Sequence, residues 1–308
     1  MSFIILMKRS YYRQILAPIV IFLMISGCLD NNIESPSENI TSEEGVEKSY
    51  SVVAPVDTGI NPYHMHFQVN ESLPQSFLDE FGVTLTCELS QVGTWEERVE
   101  ADRAACWDRI TYNDTVYFSG TRIIGAMGEE GWCDTPILDD PDDGHGTAVT
   151  GAVIDANPDA VIFFHEGFDG VRRAAEHPMV DIITTSFGPI GSIPVSGIED
   201  DTEYAVNVMG KIHTGACDNT ASTCVQDATG GPPWSIGIAG FQEDGDRGKV
   251  MHCSGTAPDI VADWTQYLPD HDSIDGYHDT SGTSFATPRT AGVLSLVIQE
   301  LRNQTNEF

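Results

Sequence analysis

The sequence predicts an α/β domain in which a mostly parallel sheet is covered by helices on both faces. Three observations carry that expectation. Short apolar runs recur along the chain, helical stretches lie between them, and most of the runs are apolar at every position rather than at alternate ones. A strand buried on one face alternates, whereas a parallel strand covered on both sides reads as continuously apolar. Strands alternating with helices then imply layers rather than a sandwich.

The N-terminal region stands apart. Lys8, Arg9 and Arg13 precede the apolar run 15–25 (ILAPIVIFLMI). A spanning helix takes about 20 apolar residues, so this run has the form of an export signal instead. It closes on Ile25-Ser26-Gly27-Cys28, which resembles the lipobox at which prokaryotic lipoprotein precursors are cut and acylated on Cys. Residues 1–28 are read as a lipoprotein-type signal, with Cys28 carrying the lipid on the outer face of the cytoplasmic membrane. A plain secretory signal is the simpler alternative. Residues 29–49 are polar, acidic and aperiodic, as a flexible tether requires, and the folded domain is expected over 50–308.

Within that domain the expected strands are 52–56, 122–127 (RIIGAM), 160–165 (AVIFFH), 180–186, 210–214 and 234–239 (WSIGIA). The expected helices are 145–155, 169–177 and a long one over 284–302, where Val293, Leu296, Val297 and Leu301 are the apolar positions. Between the first two strands lies a long insertion, about 62–119. Trp95, Val99, Cys106 and Ile110 share one helical face in it, so it is expected to be a structural elaboration rather than a bare loop. A lid over a functional site is the alternative.

Charge excludes some functions. Against 47 acidic residues stand only 15 basic ones, a net charge of −32, which repels nucleic acid and anionic surfaces and leaves no polyanion-binding role. Acidity so widely spread reads as a solvated surface, with adaptation to salty surroundings as the sharper alternative. A monomer is expected. Beyond Cys28 there are six cysteines, an even number that in an exported protein favours disulfides, with Cys217 and Cys224 as the expected pair. No CxxC or His-rich spacing suggests a zinc site.

Three short motifs carry the chemistry. Asp57-Thr58-Gly59 follows the first buried strand, at the kind of strand end where α/β sheets open a crevice. Asp143-Gly144-His145-Gly146-Thr147 opens a helix, and its imidazole is the ordinary proton acceptor near neutral pH. Gly282-Thr283-Ser284-Phe285-Ala286-Thr287-Pro288 leads into the long helix, whose N-terminal dipole favours negative charge developing at a Ser. Each alone is weak, and each has an ordinary structural reading as a turn, a buried His or a helix cap.

Taken together, the order Asp, His, Ser with DTG, GHGT and GTSxATP around them resembles the subtilisin-like serine proteases, over roughly residues 52–301. The resemblance implies a subtilisin-like three-layer fold and a serine endopeptidase. Ser284 would be the nucleophile, His145 the general base and Asp57 the group that orients it. Ser186-Phe187-Gly188 matches the segment that pairs with an extended polypeptide substrate, and Gly282 and Thr283 complete the expected substrate-binding backbone. No cofactor is implied. Calcium, which the family often binds, is left open at Asp139, Asp140, Asp142 and Asp143 or at Glu243, Asp244 and Asp246, although a solvated face is the simpler reading in so acidic a chain.

Three departures from the family matter. Simple alignment puts Asp218 where the family has an Asn that donates to the oxyanion; an ionised Asp only accepts, so it would serve only when protonated. A one-residue shift gives that role to Asn219, and Asp218 is the preferred reading. Ala148 stands where the family often has a second His. Only 28 residues lie between Cys28 and Asp57, too few for the usual folding prodomain, so the domain is expected to fold unaided. Two rival readings remain: a catalytically silent domain of the same fold serving as a surface binding module, and a two-lobed aspartic peptidase using Asp57 and the Asp279-Thr280-Ser281-Gly282 segment.

Overall fold

A computed structural model describes residues 49–129, 133–139, 143–188, 196–217, 219, 229–241 and 258–305. Its centre is a nine-stranded sheet in the order β2-β3-β4-β5-β1-β6-β7-β8-β9. The strands are β1 (Val52–Asp57), β2 (Leu85–Cys87), β3 (Val116–Phe118), β4 (Ile123–Ala126), β5 (Val161–Glu166), β6 (Ile182–Thr185), β7 (Ile212–Ala216), β8 (Ile236–Phe241) and β9 (Ile260–Asp263). Every neighbouring pair is parallel except β3 with β4. A separate antiparallel hairpin joins β10 (Thr265–Pro269) to β11 (Tyr277–Ser281).

Burial on both faces follows from the sequence pattern. In β1 every residue is buried, and successive side chains go to opposite cores as a pleated strand demands. Val53 packs with Ile162, Ile182, Val153 and Ala291, while Val52, Ala54 and Val56 pack with Phe163, Ile183, Val171 and Ala174. The first core lies under α3 (His145–Ala156) and α6 (Thr283–Thr305). The second lies under α1 (Gln75–Phe81), α4 (Gly170–Glu176) and α5 (Ser196–Asn207). Gly292 of α6 meets α3 so closely that a Cβ there would stand 2.4 Å from the Val153 carbonyl oxygen.

Such α/β layers are incompatible with the almost wholly β architecture of a two-lobed aspartic peptidase, and Asp279 lies exposed on β11. The insertion differs from its expected form. Its helix α2 (Trp95–Asp102) opens on a Thr94–Glu97 capping box but stops at Asp102. There the carboxylate accepts from the Ser90 N–H at 2.8 Å and the Tyr63 hydroxyl at 2.9 Å. Cys106 then turns inward to a disulfide with Cys87, their Cα atoms 5.2 Å apart. Instead of one long helical face, the insertion supplies two more strands, β2 and β3, to the edge of the sheet.

Candidate active site

The parallel strands bring three segments to the carboxyl edge of the sheet: Asp57 ends β1, Ser186 follows β6, and Cys217 follows β7. Two helix starts meet them. His145 is the first residue of α3, and His145 packs against Phe285, the residue after Ser284 at the start of α6, with ring centroids 5.6 Å apart.

Asp57 and His145 are in direct contact there. His145 Nδ1 lies 2.7 Å from Asp57 Oδ1, which also accepts the Thr58 N–H at 2.9 Å. Asp57 is 3% exposed and the His145 side chain 28%. Burial opposes charge on the imidazole, but the Asp57 carboxylate and its hydrogen bond, then Asp143 and Asp139, outweigh it and raise the pKa to about 9. Two glycines permit the approach. A Cβ on Gly146 would stand 2.1 Å from the Gly59 carbonyl oxygen, and one on Gly59 would stand 2.6 Å from the Cα of Asp139.

Ser284 sits in the first turn of α6, held by a feature of its own helix. Pro288 has no N–H, so the helical acceptor four residues earlier, the Ser284 carbonyl, is left without its usual donor. The Ser186 hydroxyl takes that place, donating to it at 2.7 Å. In return the Ser284 hydroxyl donates to the Ser186 carbonyl at 3.2 Å. Among the described residues no hydrogen bond joins Ser284 to His145. Because Nδ1 of the ring is engaged by Asp57, Nε2 is the nitrogen left for a hydroxyl.

Asn219 lies beside the same turn. Its Oδ1 accepts the Thr283 N–H at 2.8 Å, which leaves its Nδ2 group to face elsewhere as a donor. A Cβ on Gly282 would be 3.5 Å from this amide. Asp218, the preferred residue for this role from sequence, lies outside the described residues. The Thr283 hydroxyl donates to the Cys217 carbonyl, tying the end of β7 to the start of α6. Cys217 is disulfide-bonded; Cys224 lies outside the described residues.

Of the expected substrate-binding segment, Ser186 is buried, Phe187 half-buried and Gly188 exposed. The Phe187 carbonyl accepts from the Thr229 hydroxyl at 2.7 Å, and its ring lies 4.2 Å from that of Phe168. Among the described residues no group of three or more His, Cys, Asp or Glu side chains is arranged to hold a metal. Asp140, Asp142, Glu243, Asp244 and Asp246 fall outside them, as does Cys28.

Asp139, grouped by sequence with a surface acidic run, is instead 1% exposed. Burial pushes its carboxyl up to about 7 against hydrogen bonds from Thr147 and Thr58, with the Asp57 charge adding to the rise. The signal that sets it apart from its acidic neighbours is the apolar Ile137-Leu138 immediately before it.

No family model and no curated protein matches the sequence. Solved structures do match. The protease domain of PatA is 15% identical with a TM-score of 0.54, covering 83% of this chain and 82% of that one. The PatG macrocyclase in complex with peptide is 12% identical with a TM-score of 0.50, covering 84% and 78%. Fervidolysin from Fervidobacterium pennivorans, described as a keratinolytic enzyme related to subtilisin, is 17% identical with a TM-score of 0.50; 83% of this chain covers 37% of it. The class defined by the sheet and its helical layers is thus a three-layer α/β fold. In particular, the chain has the subtilisin-like fold.

Proposed function

We propose that the chain is a serine endopeptidase that cleaves polypeptides through Ser284, His145 and Asp57. The observation that carries this reading is the 2.7 Å contact between Asp57 and His145, whose ring packs on Phe285 beside Ser284. In the reaction the Ser284 O–H swings from the Ser186 carbonyl to His145 Nε2, and Oγ attacks the scissile carbonyl as the ring takes the proton. Asp57 keeps Nδ1 protonated and stabilises the imidazolium. The imidazolium then returns the proton to the leaving amine, and water releases the acyl group from Ser284 by the same route.

Negative charge on the tetrahedral oxygen needs donors. The start of α6 supplies the Ser284 N–H and a favourable dipole, and the Nδ2 of Asn219 is the side-chain donor we assign, since an amide donates at any pH whereas Asp218 would have to be protonated. The substrate is an extended polypeptide lying along Ser186, Phe187 and Gly188 and against Gly282 and Thr283. We further propose that the enzyme acts as a monomer outside the cell, held to the membrane through Cys28, and needs no cofactor or nucleic acid.

One observation favours the silent binding module: the Ser284 hydroxyl is engaged by Ser186 rather than by His145. A fluorophosphonate probe separates the two. On the peptidase reading it labels Ser284, fails on Ser284→Ala, and labels faster as pH rises from 6 to 10. A rise toward acid pH would return the oxyanion role to Asp218. A folded protein that takes no label at any pH is the binding module.

A further inference from the structure

We propose that Asp139 is a positioning residue for the Asp57–His145 pair, a carboxylate clamp that ties the end of β1 to the start of α3. The inference rests on the peptidase reading for its catalytic consequence, though the clamp itself is a matter of geometry. Asp139 Oδ1 accepts from the Thr58 hydroxyl at 3.1 Å, and its Oδ2 accepts both the N–H and the hydroxyl of Thr147 at 2.9 and 2.6 Å. Thr58 is the neighbour of Asp57, and Thr147 is two residues past His145. Both motifs are therefore gripped by one buried group.

The two threonines extend the grip. Thr58 Oγ1 accepts the Gly146 N–H at 3.0 Å, and Thr147 Oγ1 accepts the Asn61 N–H at 2.9 Å. Each hydroxyl has one hydrogen and spends it on Asp139, so its lone pairs are free for the backbone of the other motif. The links cross twice: a side chain of the turn after β1 to α3 backbone, and backbone of that turn to an α3 side chain. An apolar residue at 139 would leave both hydroxyl hydrogens without this acceptor, that of Thr147 in a fully buried place.

The loop that delivers Asp139 is itself held against resistance. Ile137 has φ 69°, a left-handed backbone that a β-branched residue adopts only under constraint. Its N–H is taken by Glu166 Oε2 at 2.7 Å and its carbonyl by the Ile60 N–H at 2.8 Å, while Glu166 Oε1 accepts the Cys133 N–H at 2.8 Å. Glu166 is fully buried on β5 in register with Asp57. Strain of this kind persists where surrounding structure fixes a functional group, and here its product is the placement of Asp139.

The test uses the purified full chain with Thr58→Val, Thr58→Ser, Asp139→Asn and Ser284→Ala. Thr58→Val removes one jaw of the clamp without burying a charge, and Thr58→Ser keeps the hydroxyl. Displacing the general base His145 from its orienting carboxylate by a fraction of an ångström is expected to lower kcat and the labelling rate of Ser284 roughly 10- to 100-fold in Thr58→Val, with KM changed far less. Thr58→Ser should restore both, and Asp139→Asn should resemble Thr58→Val if it folds. Independently of turnover, the downfield Nδ1–H proton resonance of His145 should weaken or move upfield in Thr58→Val and return in Thr58→Ser. A wild-type resonance and labelling rate in folded Thr58→Val would overturn the clamp. A wild-type protein that shows the resonance but never labels Ser284 would instead sink the peptidase reading, and the resonance of Thr58→Val would still decide the clamp.

Discussion

His145 carries two opposed demands. Three carboxylates around it favour the imidazolium, yet the proposed base works only as the neutral ring. With its pKa near 9, the acid limb of kcat/KM is expected at alkaline pH rather than near neutrality. Asp143 is the exposed member of the three, so salt screens its share and should move the limb downward. Linkage gives a second readout. The folded pKa lies above the ordinary 6.5, so this stabilisation is complete below pH 6.5 and is lost as pH rises through 9. At about 1.4 kcal/mol per unit the loss is on the order of 3 kcal/mol. Denaturant melts between pH 6 and 9.5 should show wild type losing stability over that window and His145→Ala losing much less; parallel curves would refute the assignment. Asp139 adds a loss of the same sign between about pH 4 and 7, because its folded pKa is also raised. Asn219→Ala should lower kcat by about 100- to 1000-fold with little change in KM, as removal of one oxyanion donor does.

At the scale of elements, the crevice depends on how closely α3 approaches the turn after β1. In Gly146→Ala the new methyl would meet a backbone oxygen, which has no rotamer to yield, so α3 must shift. A destabilisation of about 1–3 kcal/mol and loss of Ser284 labelling are expected, measured by melts and by probe kinetics on the same sample. The insertion should behave differently. Cys87 and Cys106 are 19 residues apart, and replacing both with Ser should cost roughly 3 kcal/mol through the unfolded chain. If the insertion is an elaboration of the sheet edge and not a lid, Ser284 labelling in the folded double variant will stay near wild type. A labelling rate that falls together with the disulfide would make it a part of the site.

For the molecule as a whole, a net charge of −32 makes self-repulsion the dominant long-range term. Raising salt from 0.1 to 1 M shortens the screening length from about 10 to 3 Å, so the melting temperature should climb with NaCl. A flat response would mean that these carboxylates are already spaced or paired well enough. Much of the architecture was legible because it is written in local pattern. Short runs, most of them apolar on both faces, marked β1, β4, β5, β6, β7 and β8, and the glycine-flanked motifs marked the turns that the fold gathers at the carboxyl edge of the sheet. Strands β2 and β3 were not legible, since three residues carry no period and their place in the sheet depends on neighbours far along the chain. The sequence by itself determined the layer order and which Asp, His and Ser lie at strand and helix ends, because those follow from short-range periodicity and turn chemistry. Only the tertiary structure decided that Asp139 is buried rather than solvated and that Asn219 faces the nucleophile turn. Their partners, Thr58 and Thr283, lie 81 and 64 residues away, and no local pattern records a contact made by folding across that distance.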